Sequence, residues 1–375
     1  MLKLFKNQAK MIKILLSCLI LIITLLGCQN APVVDNGKIV IDSTGEEYNS
    51  EDFFLQPICI SLETNEMSLI SKIDKVIIRD DYIYILDNSS QRIMIYTMSG
   101  AYVNSIQRIG LGPGEYIQLM DFNVRDDKLV LYSDLPSKLI YLKCDGEFIC
   151  ENKMVKSYSS FIMSNDRIYF KNSPTDDYTI SSLNLEHENP LNYIRSLPMY
   201  NSIYMSGMTI SKVNDGTILF SRRFDNNIYI IDTNNVISSK TLIFDNNGFI
   251  DNNTLKEGIP SHEFFKYCLK NEKVFSIVAS QFIQNKLIFN TNLPLLYIYD
   301  SVCHTISSLN DNILGLKLYP YNRVFVESDN DYIGFVLNYE HLRVLEKTNP
   351  KGKLFDLYQS MNEYSNPVLI LYKFK

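Results

Sequence analysis

The stretch DYIYIL, residues 81–86, is the first of six short phrases that share one pattern. Each phrase follows a polar turn and alternates aliphatic with aromatic residues, a period of two that is typical of β-strands. The other copies are DKLVLY at 127–132, DRIYFK at 166–171, GTILFS at 216–221, NKLIFN at 285–290 and DYIGFV at 331–336. The pattern therefore predicts six equivalent strands.

The spacing of these phrases indicates how the strands are organised. Successive phrases begin 46, 39, 50, 69 and 46 residues apart, close to the roughly 40 to 50 residues of a four-stranded propeller blade. Strand-like segments follow each phrase, as in RIMIY at 92–96, and precede it, as in DFNV at 121–124. We therefore predict an all-β fold, a six-bladed β-propeller.

The longest gap contains an insertion, residues 254–275, between blades four and five. Pro260 and Ser261 can begin a helix there. The helix would place four apolar residues on one face: Phe264, Phe265, Cys268 and Leu269. We expect the helix to pack on the propeller rim, with a lid as the alternative, and further short helices to precede the C-terminal closing strand.

Both ends of the chain carry strand-like segments that complete no blade of their own. One lies at 57–62 and the other at 366–374. We expect the two segments to pair, because closing the ring removes sheet edges that would otherwise be exposed.

The N-terminus has the features of a bacterial lipoprotein precursor. Four lysines at positions 3, 6, 10 and 13 precede an apolar run at 14–26, and LLGC follows at 25–28. A membrane-spanning helix needs about 20 apolar residues, so we predict a signal peptide at 1–27. We expect lipid attachment at Cys28, a tether at 28–50 and the propeller at 51–375. The alternative is a chance cysteine near an ordinary cleavage site.

The net charge of the chain limits the classes of partner that it can bind. Loss of the four N-terminal lysines changes the net charge from −6 to −10, which argues against nucleic acid because its binding depends on clustered cations. We expect a monomeric propeller held at a membrane by its lipid. The expected location is the cell envelope, and the outer membrane is favoured. Both a periplasmic and a surface-facing orientation agree with the sequence.

Cysteines at 59, 144, 150, 268 and 303 remain after Cys28 and show no metal-binding spacing. Their odd number argues against a disulfide framework. Cys144 and Cys150 flank a turn and are able to pair in an oxidising compartment, but buried free thiols are the favoured interpretation.

Several motifs together resemble the six-bladed β-propeller lipoproteins of Bacteroidota, relatives of NHL-repeat propellers. Besides LLGC, they are LETNEMSLISKIDKVIIRDDYIYILD at 62–87, GLGPGEY at 110–116 and NPVLILYKFK at 366–375. The resemblance spans nearly the whole mature chain and implies the fold and the envelope location. Because members of that family mostly lack an assigned activity, it implies little about function.

The glycine-rich GLGPGEY stretch is better explained as a turn than as a phosphate-binding loop. A Walker A motif requires a lysine after the final glycine, where this chain has Glu115. A dinucleotide loop lies between a strand and a helix, whereas this stretch lies between two predicted strands. We expect it to connect blade one to blade two, with Glu115 either capping backbone amides or facing the channel mouth.

Motifs for catalysis and metal binding are weak. Histidines 187, 262, 304 and 341 are isolated, and neither an HExxH nor a G-x-S-x-G motif occurs. The acidic stretches DNNG at 245 and DNDYIG at 329 lack ligands that a calcium loop requires. We therefore predict no metal, no cofactor and no catalytic residue.

The remaining candidate functional residues lie on one face of the predicted propeller. Turns after the second strands and connections between blades open on the same face. Six candidate ligand-binding residues fall there: Arg92, Arg108, Glu115, Tyr116, Arg222 and Arg223. Such a set can hold an anionic or polyhydroxylated ligand, and a solvated rim with ion pairs between blades is the alternative.

The functional expectation follows from the fold, the location and this face. We expect a non-enzymatic lipoprotein that binds an envelope protein or a small extracellular solute. The alternative is an envelope hydrolase or lyase with a shallow site on the propeller face.

Overall fold

The computed structural model describes residues 37–41, 47–48, 50–164, 166–197, 209–213, 216–245, 248–250, 261–293, 295–310, 312–313, 316–317, 323–324, 326–328, 332–348 and 351–375. Six antiparallel sheets of at least four strands form the blades of a β-propeller, as predicted. We number the blades 1 to 6 in chain order and letter their strands a to d from the channel outward.

The strands of the first three blades follow one another along the chain. Blade 1 has Lys75–Arg79, Tyr82–Asp87, Arg92–Thr97 and Tyr102–Ile106. Blade 2 has Gln118–Arg125, Lys128–Leu135, Ser137–Lys143 and Phe148–Lys153. Blade 3 has Ser160–Met163, Arg167–Lys171, Tyr178–Asn184 and Leu191–Arg195.

The last three blades show the same order. Blade 4 has Thr209–Lys212, Ile218–Ser221, Asn227–Ile231 and Ile237–Phe244. Blade 5 has Ile277–Ile283, Lys286–Thr291, Leu295–Asp300 and Thr305–Asn310. Blade 6 has Arg323–Val324, Ile333–Leu337, Val368–Tyr372 and Ile58–Ser61. Val326–Ser328 pairs in parallel with strand a of blade 1, and Asn312–Ile313 forms a small hairpin with Leu316–Lys317.

All six repeated phrases form strand b of their blades, the second strand from the channel. In blade 1, for example, Ile83 pairs with Ile78 of strand a and with Tyr96 of strand c. Strand b is buried on both faces because each blade packs between two others. This burial explains why the phrases carry apolar residues at nearly every position.

The predicted ring closure is confirmed. Val368–Tyr372 lies between Ile333–Leu337 and Ile58–Ser61, with Val368 opposite Ser61 and Leu371 opposite Ile58. Blade 6 is therefore built from both ends of the chain.

Part of the segment predicted as a tether belongs to the folded domain. Lys38–Ile41 pairs in parallel with the outer strand of blade 4, and Glu47–Tyr48 pairs in parallel with that of blade 5. Ile39 and Ile41 are buried, so these strands cover edges that would otherwise be open. The propeller therefore begins N-terminal to the predicted boundary at residue 51.

The predicted signal peptide at 1–27 and Cys28 lie outside the described residues. Within the described part of the chain, no helix is both long enough and apolar enough to cross a membrane.

The predicted insertion between blades 4 and 5 contains a helix, Ser261–Lys270. Phe264 and Cys268 are buried, and they pack with Phe275 and with Phe224 of the turn after strand b of blade 4. Leu269 is 64% exposed and does not share this face, contrary to expectation. The helix therefore packs against the turn after strand b of blade 4, and its packing on the rim stays a prediction.

Four other short helices complete the described secondary structure. Ser50–Phe53 precedes the outer strand of blade 6. Tyr339–Arg343, Leu345–Thr348 and Lys353–Gln359 precede the closing strand Val368–Tyr372, as predicted.

The five cysteines of the described chain are free thiols. Cys268 is buried and Cys59 and Cys144 are half-buried, whereas Cys150 and Cys303 are exposed. The expectation of buried thiols is therefore met at some positions only.

Candidate binding face

The antiparallel order of the strands places two kinds of loop on the same face. The turns between strands b and c and the connections from strand d to the next blade open on what we call the front face. The turns between a and b and between c and d lie at the other ends of the strands, which we call the back face, although the c–d turn of blade 2 reaches the connection from blade 1 through the hydrogen bond from Arg108 to the Gly146 carbonyl. By this topology all six sequence-predicted residues belong to the front face.

GLGPGEY is the connection from blade 1 to blade 2, as expected. Its backbone is held by hydrogen bonds to Arg108, just before the motif, and to Glu115 within it. Arg108 donates from Nε to the carbonyl of Gly114 (2.9 Å) and from Nη1 to that of Gly146 (3.2 Å). Glu115 accepts a hydrogen bond from the backbone N–H of Gly112 (2.8 Å), the capping role considered for it above. Both side chains therefore stabilise the turn.

Gly114 shows why this loop needs glycine. Its φ of +72° lies in the left-handed region, where residues with a Cβ are strained. A Cβ at this position would lie 2.4 Å from the ring of Phe148. The glycines of this motif thus permit a close approach of the loop to blade 2.

Tyr116 is completely buried beneath the same loop. Its hydroxyl donates to the carbonyl of Gln91 (2.9 Å) and accepts from the backbone N–H of Arg108 (3.3 Å). Burial raises the pKa of Tyr116 to about 12. Tyr116 joins the two loops and is not accessible to a ligand.

Glu151 of blade 2 completes the anchoring of the loop. Its carboxylate accepts from the backbone N–H of Gly114 (2.8 Å) and from Nζ of Lys138 (2.7 Å). Burial tends to raise the pKa of Glu151, but these hydrogen bonds outweigh it and the pKa is lowered. Sequence reasoning did not find this residue, because its role depends on a partner 37 residues away.

Arg222 is fully engaged within the rim of blades 3 and 4. Its Nε pairs with Asp225 at 2.6 Å, and Nη1 donates to the carbonyl of Arg195 (2.6 Å) and to Thr179 (3.1 Å). Its guanidinium also lies 5.6 Å from the ring centre of Tyr229. The side chain is buried, so it has a clear structural role and little surface for a ligand.

Arg92 and Arg223 differ from the other two arginines because part of each guanidinium has no partner. Arg92 donates from Nη2 to the carbonyl of Leu69, while its Nε is buried without a hydrogen bond. Both Nε and Nη1 of Arg223 are buried and bond to nothing in the described structure. Burial lowers the pKa of Arg223 to about 10.

Sequence reasoning missed three charged residues at the front ends of blades 1 to 3. Lys75 pairs with Asp121 at 2.9 Å, and the other carboxylate oxygen of Asp121 accepts from the backbone N–H of Phe161. Lys171 is the last residue of strand b in blade 3 and is buried. The sequence signal that could have identified Lys171 is its position at the end of the apolar phrase DRIYFK.

Large apolar side chains are exposed on the front face. Val155 is fully exposed and Leu111 is 77% exposed. Met67, Ile109, Ile117 and Leu135 are also exposed on loops of this face. These six residues, which we call the apolar rim, belong to the connections leading into blades 1, 2 and 3 and to the end of strand b in blade 2. The hydrogen bond from the Ile117 N–H to the Leu135 carbonyl (2.8 Å) joins two of these loops.

A small crevice lies on the back face between blades 2 and 3. Its volume is about 160 Å³, and its lining includes Arg125, Lys128 and Tyr141. The Tyr141 hydroxyl lies 3.1 Å from Nε2 of His187, whose Nδ1 is buried and has no partner in the described structure.

Metal ligands do not converge within the described ranges. No group of three His, Cys, Asp or Glu side chains is placed to hold a metal ion there. The acidic stretches at 245 and 329 fall partly outside those ranges.

The strand order, the closure and the front-face loops define the class of this protein as a six-bladed β-propeller. The family model described as domain of unknown function DUF4934 matches residues 34–373. The chain therefore belongs to the DUF4934 family. Among curated proteins the sequence has no match.

Solved structures show the same fold at low sequence identity. A Bacteroides fragilis protein described as exported is 19% identical with a TM-score of 0.72, over 90% of this chain and 99% of that chain. A DUF4221 family member from Bacteroides vulgatus is 9% identical with a TM-score of 0.57, over 86% and 97%. Virginiamycin B lyase of Staphylococcus aureus has a TM-score of 0.46 at 11% identity, over 83% and 82%.

Proposed function

We propose that this chain is an exported, lipid-anchored binding protein whose front face docks an envelope protein. The observation that carries the proposal is the apolar rim, six exposed apolar side chains on adjoining loops of one face. Exposed apolar side chains are common singly, but their concentration on one surface is typical of interaction sites.

The form of this surface favours a protein over a small solute as the partner. The apolar rim extends over loops of three neighbouring blades and consists of projecting side chains such as Leu111 and Val155. Small solutes are usually held in concave sites that enclose most of their surface. A protein can cover projecting side chains from several blades at once and remove their apolar area from water.

The envelope location is supported by the N-terminal sequence. A lysine-rich start, a short apolar run and LLGC at 25–28 precede the folded domain. The exported description of the Bacteroides fragilis protein agrees with this location, as does the resemblance to Bacteroidota lipoproteins. A lipid on Cys28 would hold the propeller close to a membrane, where envelope proteins are concentrated.

The anchor is testable on its own. We expect Cys28→Ser to abolish lipidation, because the thiol is the atom that receives the diacylglycerol. The variant should move from the detergent phase to the aqueous phase and lack the mass of the lipid, and globomycin should accumulate the precursor of the wild type. Unchanged partitioning and mass would contradict the anchor.

The docking proposal is tested by comparing the two faces. The lipoprotein is purified from native membranes after mild crosslinking, and its partners are quantified by mass spectrometry. We expect Leu111→Ser with Val155→Ser to reduce the principal partner at least tenfold. The matched control, Val236→Ser with Val302→Ser, changes exposed valines of the back face and should retain the partner. Equal recovery from both variants would contradict the proposal.

One observation favours the alternative of an envelope hydrolase or lyase. Tyr141 and His187 form a hydrogen-bonded pair beside the back-face crevice, and such pairs can transfer protons. Burial lowers the pKa of His187, which leaves a neutral imidazole at neutral pH. Elemental analysis of the purified lipoprotein separates the alternatives, because one bound transition metal per chain would favour the enzyme.

A further inference from the structure

We propose that Arg223 and Lys171 form a subsite for an oxyanion, a carboxylate or a phosphate group, at the front end of blades 3 and 4. The inference rests on the proposed function, because it assigns a charge-recognising part to the same face. Its distinctive residue is Arg223, whose Nε and Nη1 are buried with no hydrogen-bond partner in the described structure.

The topology brings these two cations to the same end of neighbouring blades. Lys171 ends strand b of blade 3, and Arg223 follows strand b of blade 4 by two residues. Both positions therefore lie where strand b meets the front face. The positive charge of Arg223 also lowers the pKa of Lys171.

Two carboxylates on this part of the front face are already bound to other groups. Asp121 is shared between Nζ of Lys75 (2.9 Å) and the backbone N–H of Phe161 (2.9 Å). Asp225 is held by Arg222 at 2.6 Å and by the hydroxyl of Tyr229 at 2.8 Å. Within the described residues, neither carboxylate bonds to Nε or Nη1 of Arg223.

Desolvated positive charge opposes folding. Burial disfavours the charged forms of Arg223 and Lys171, and the charge of Arg223 further disfavours the charged form of Lys171. Strong perturbation by burial together with a specific charged neighbour is typical of functional sites. A bound oxyanion would relieve the repulsion and supply acceptors for the buried N–H groups of Arg223.

The chemistry of the two side chains indicates the class of ligand. A guanidinium presents paired N–H donors that match the two oxygens of a carboxylate or phosphate, and an ammonium adds a compact charge. On this face the anionic group would come either from a side chain of the docked protein or from a free anion.

The pKa of Lys171 predicts how binding responds to pH. Burial, followed by the nearby charge of Arg223, lowers this pKa to about 8, while Asp121 acts in the opposite direction. Lys171 is therefore mostly charged at pH 7 and mostly neutral at pH 9.5. Because an anion favours the charged form, we expect affinity to fall across this range, and Lys171→Gln should reduce that fall.

The test uses the soluble Cys28→Ser protein and two probes, inorganic phosphate and succinate, in calorimetric titrations at pH 7. We expect at least one probe to bind, and the stronger one indicates which oxyanion the subsite prefers. Arg223→Gln should weaken binding at least tenfold. Lys143→Gln, which changes an exposed lysine on the back face, should leave affinity unchanged.

A stability measurement separates a ligand subsite from a structural role. Without ligand, Arg223→Gln should melt at the same temperature as the wild type or higher, because it removes a desolvated charge. A lower melting temperature together with unchanged affinity would overturn the inference, as would the absence of binding by both probes.

The two proposals fail in different ways. Leu111→Ser with Val155→Ser should lose the protein partner and keep the affinity for the probe anion. If neither anion binds while partner recovery still depends on the apolar rim, the subsite is wrong and the docking proposal stands. If anions bind but the apolar rim is not needed for partner recovery, docking is wrong and the subsite stands.

Discussion

Adjacent residues on the front face have quite different surroundings, and sequence alone does not distinguish them. Arg222 binds Asp225, Thr179 and the carbonyl of Arg195, whereas part of the Arg223 guanidinium has no partner in the described structure. The repeat pattern placed both arginines on the correct turn. Which of them has free donors depends on residues of blade 3, and no local pattern indicates those contacts.

At the residue scale, Gly114→Ala tests the structural account of GLGPGEY. We expect this change to destabilise the protein, because a Cβ would meet the ring of Phe148 at 2.4 Å on a backbone with φ of +72°. The matched control is Gly352→Ala, where φ is +90° but no atom lies within 4 Å of the new Cβ. Gly114→Ala should cost about 2 kcal/mol more than the control in urea unfolding. Equal losses would show that the close contact with Phe148 is unimportant.

At the scale of elements, the strands that sequence predicts best are those buried on both faces. The six phrases identify strand b because burial on both sides requires apolar residues along its whole length. Lys38–Ile41 escaped detection because four residues with one buried face give a weak signal. The exposure of Leu269 was also missed, because helical periodicity does not define how wide a face the neighbouring loop covers.

The turn between strands c and d of blade 5 gives an electrostatic prediction at this scale. Asp300 binds Nζ of Lys286 at 2.5 Å and accepts from the backbone N–H groups of Val302 and Cys303. These hydrogen bonds lower the pKa of Asp300 to about 2, and the bond from Lys286 contributes most. A lowered folded-state pKa stabilises the protein above the unfolded value near 4, and this stabilisation is lost as pH falls towards 2.

We therefore expect Asp300→Asn to reduce the free energy of unfolding by about 1 kcal/mol at pH 7, a figure that allows for solvent screening of this partly exposed pair. The difference from wild type should shrink towards pH 3. Urea titrations at pH 7, 4 and 3 provide the measurement. A deficit that stays constant over this range would contradict the ion-pair explanation.

At the scale of the whole molecule, closure depends on more than strand pairing. Asn366 is buried just before the closing strand and donates to the carbonyls of Glu63 and Ser68, both at 2.7 Å. Its side-chain carbonyl accepts from the backbone N–H of Ile70 at 2.8 Å. One amide thus connects the C-terminal strand to the loop that leads into blade 1, which explains the roles of the NPVLILYKFK and LETNEMSLIS segments.

Asn366→Ala should destabilise the protein by about 2–4 kcal/mol, because it leaves buried carbonyl and N–H groups without partners. Asn362→Ala is the control: this asparagine lies in an exposed turn, and its loss should cost less than about 1 kcal/mol. Equilibrium unfolding in urea gives both values. Similar effects at the two positions would contradict the closure role of Asn366.

The central claim, that the front face docks an envelope protein, is tested most directly by photo-crosslinking in living cells. A photoreactive amino acid is placed at Leu111 on the front face or at Val302 on the back face, two apolar positions that are 77% and 68% exposed. We predict a discrete crosslinked protein from position 111 and none from position 302, with the same product lost when Val155→Ser is added. Equal crosslinking from both faces, or a discrete product from position 302 alone, would contradict the account.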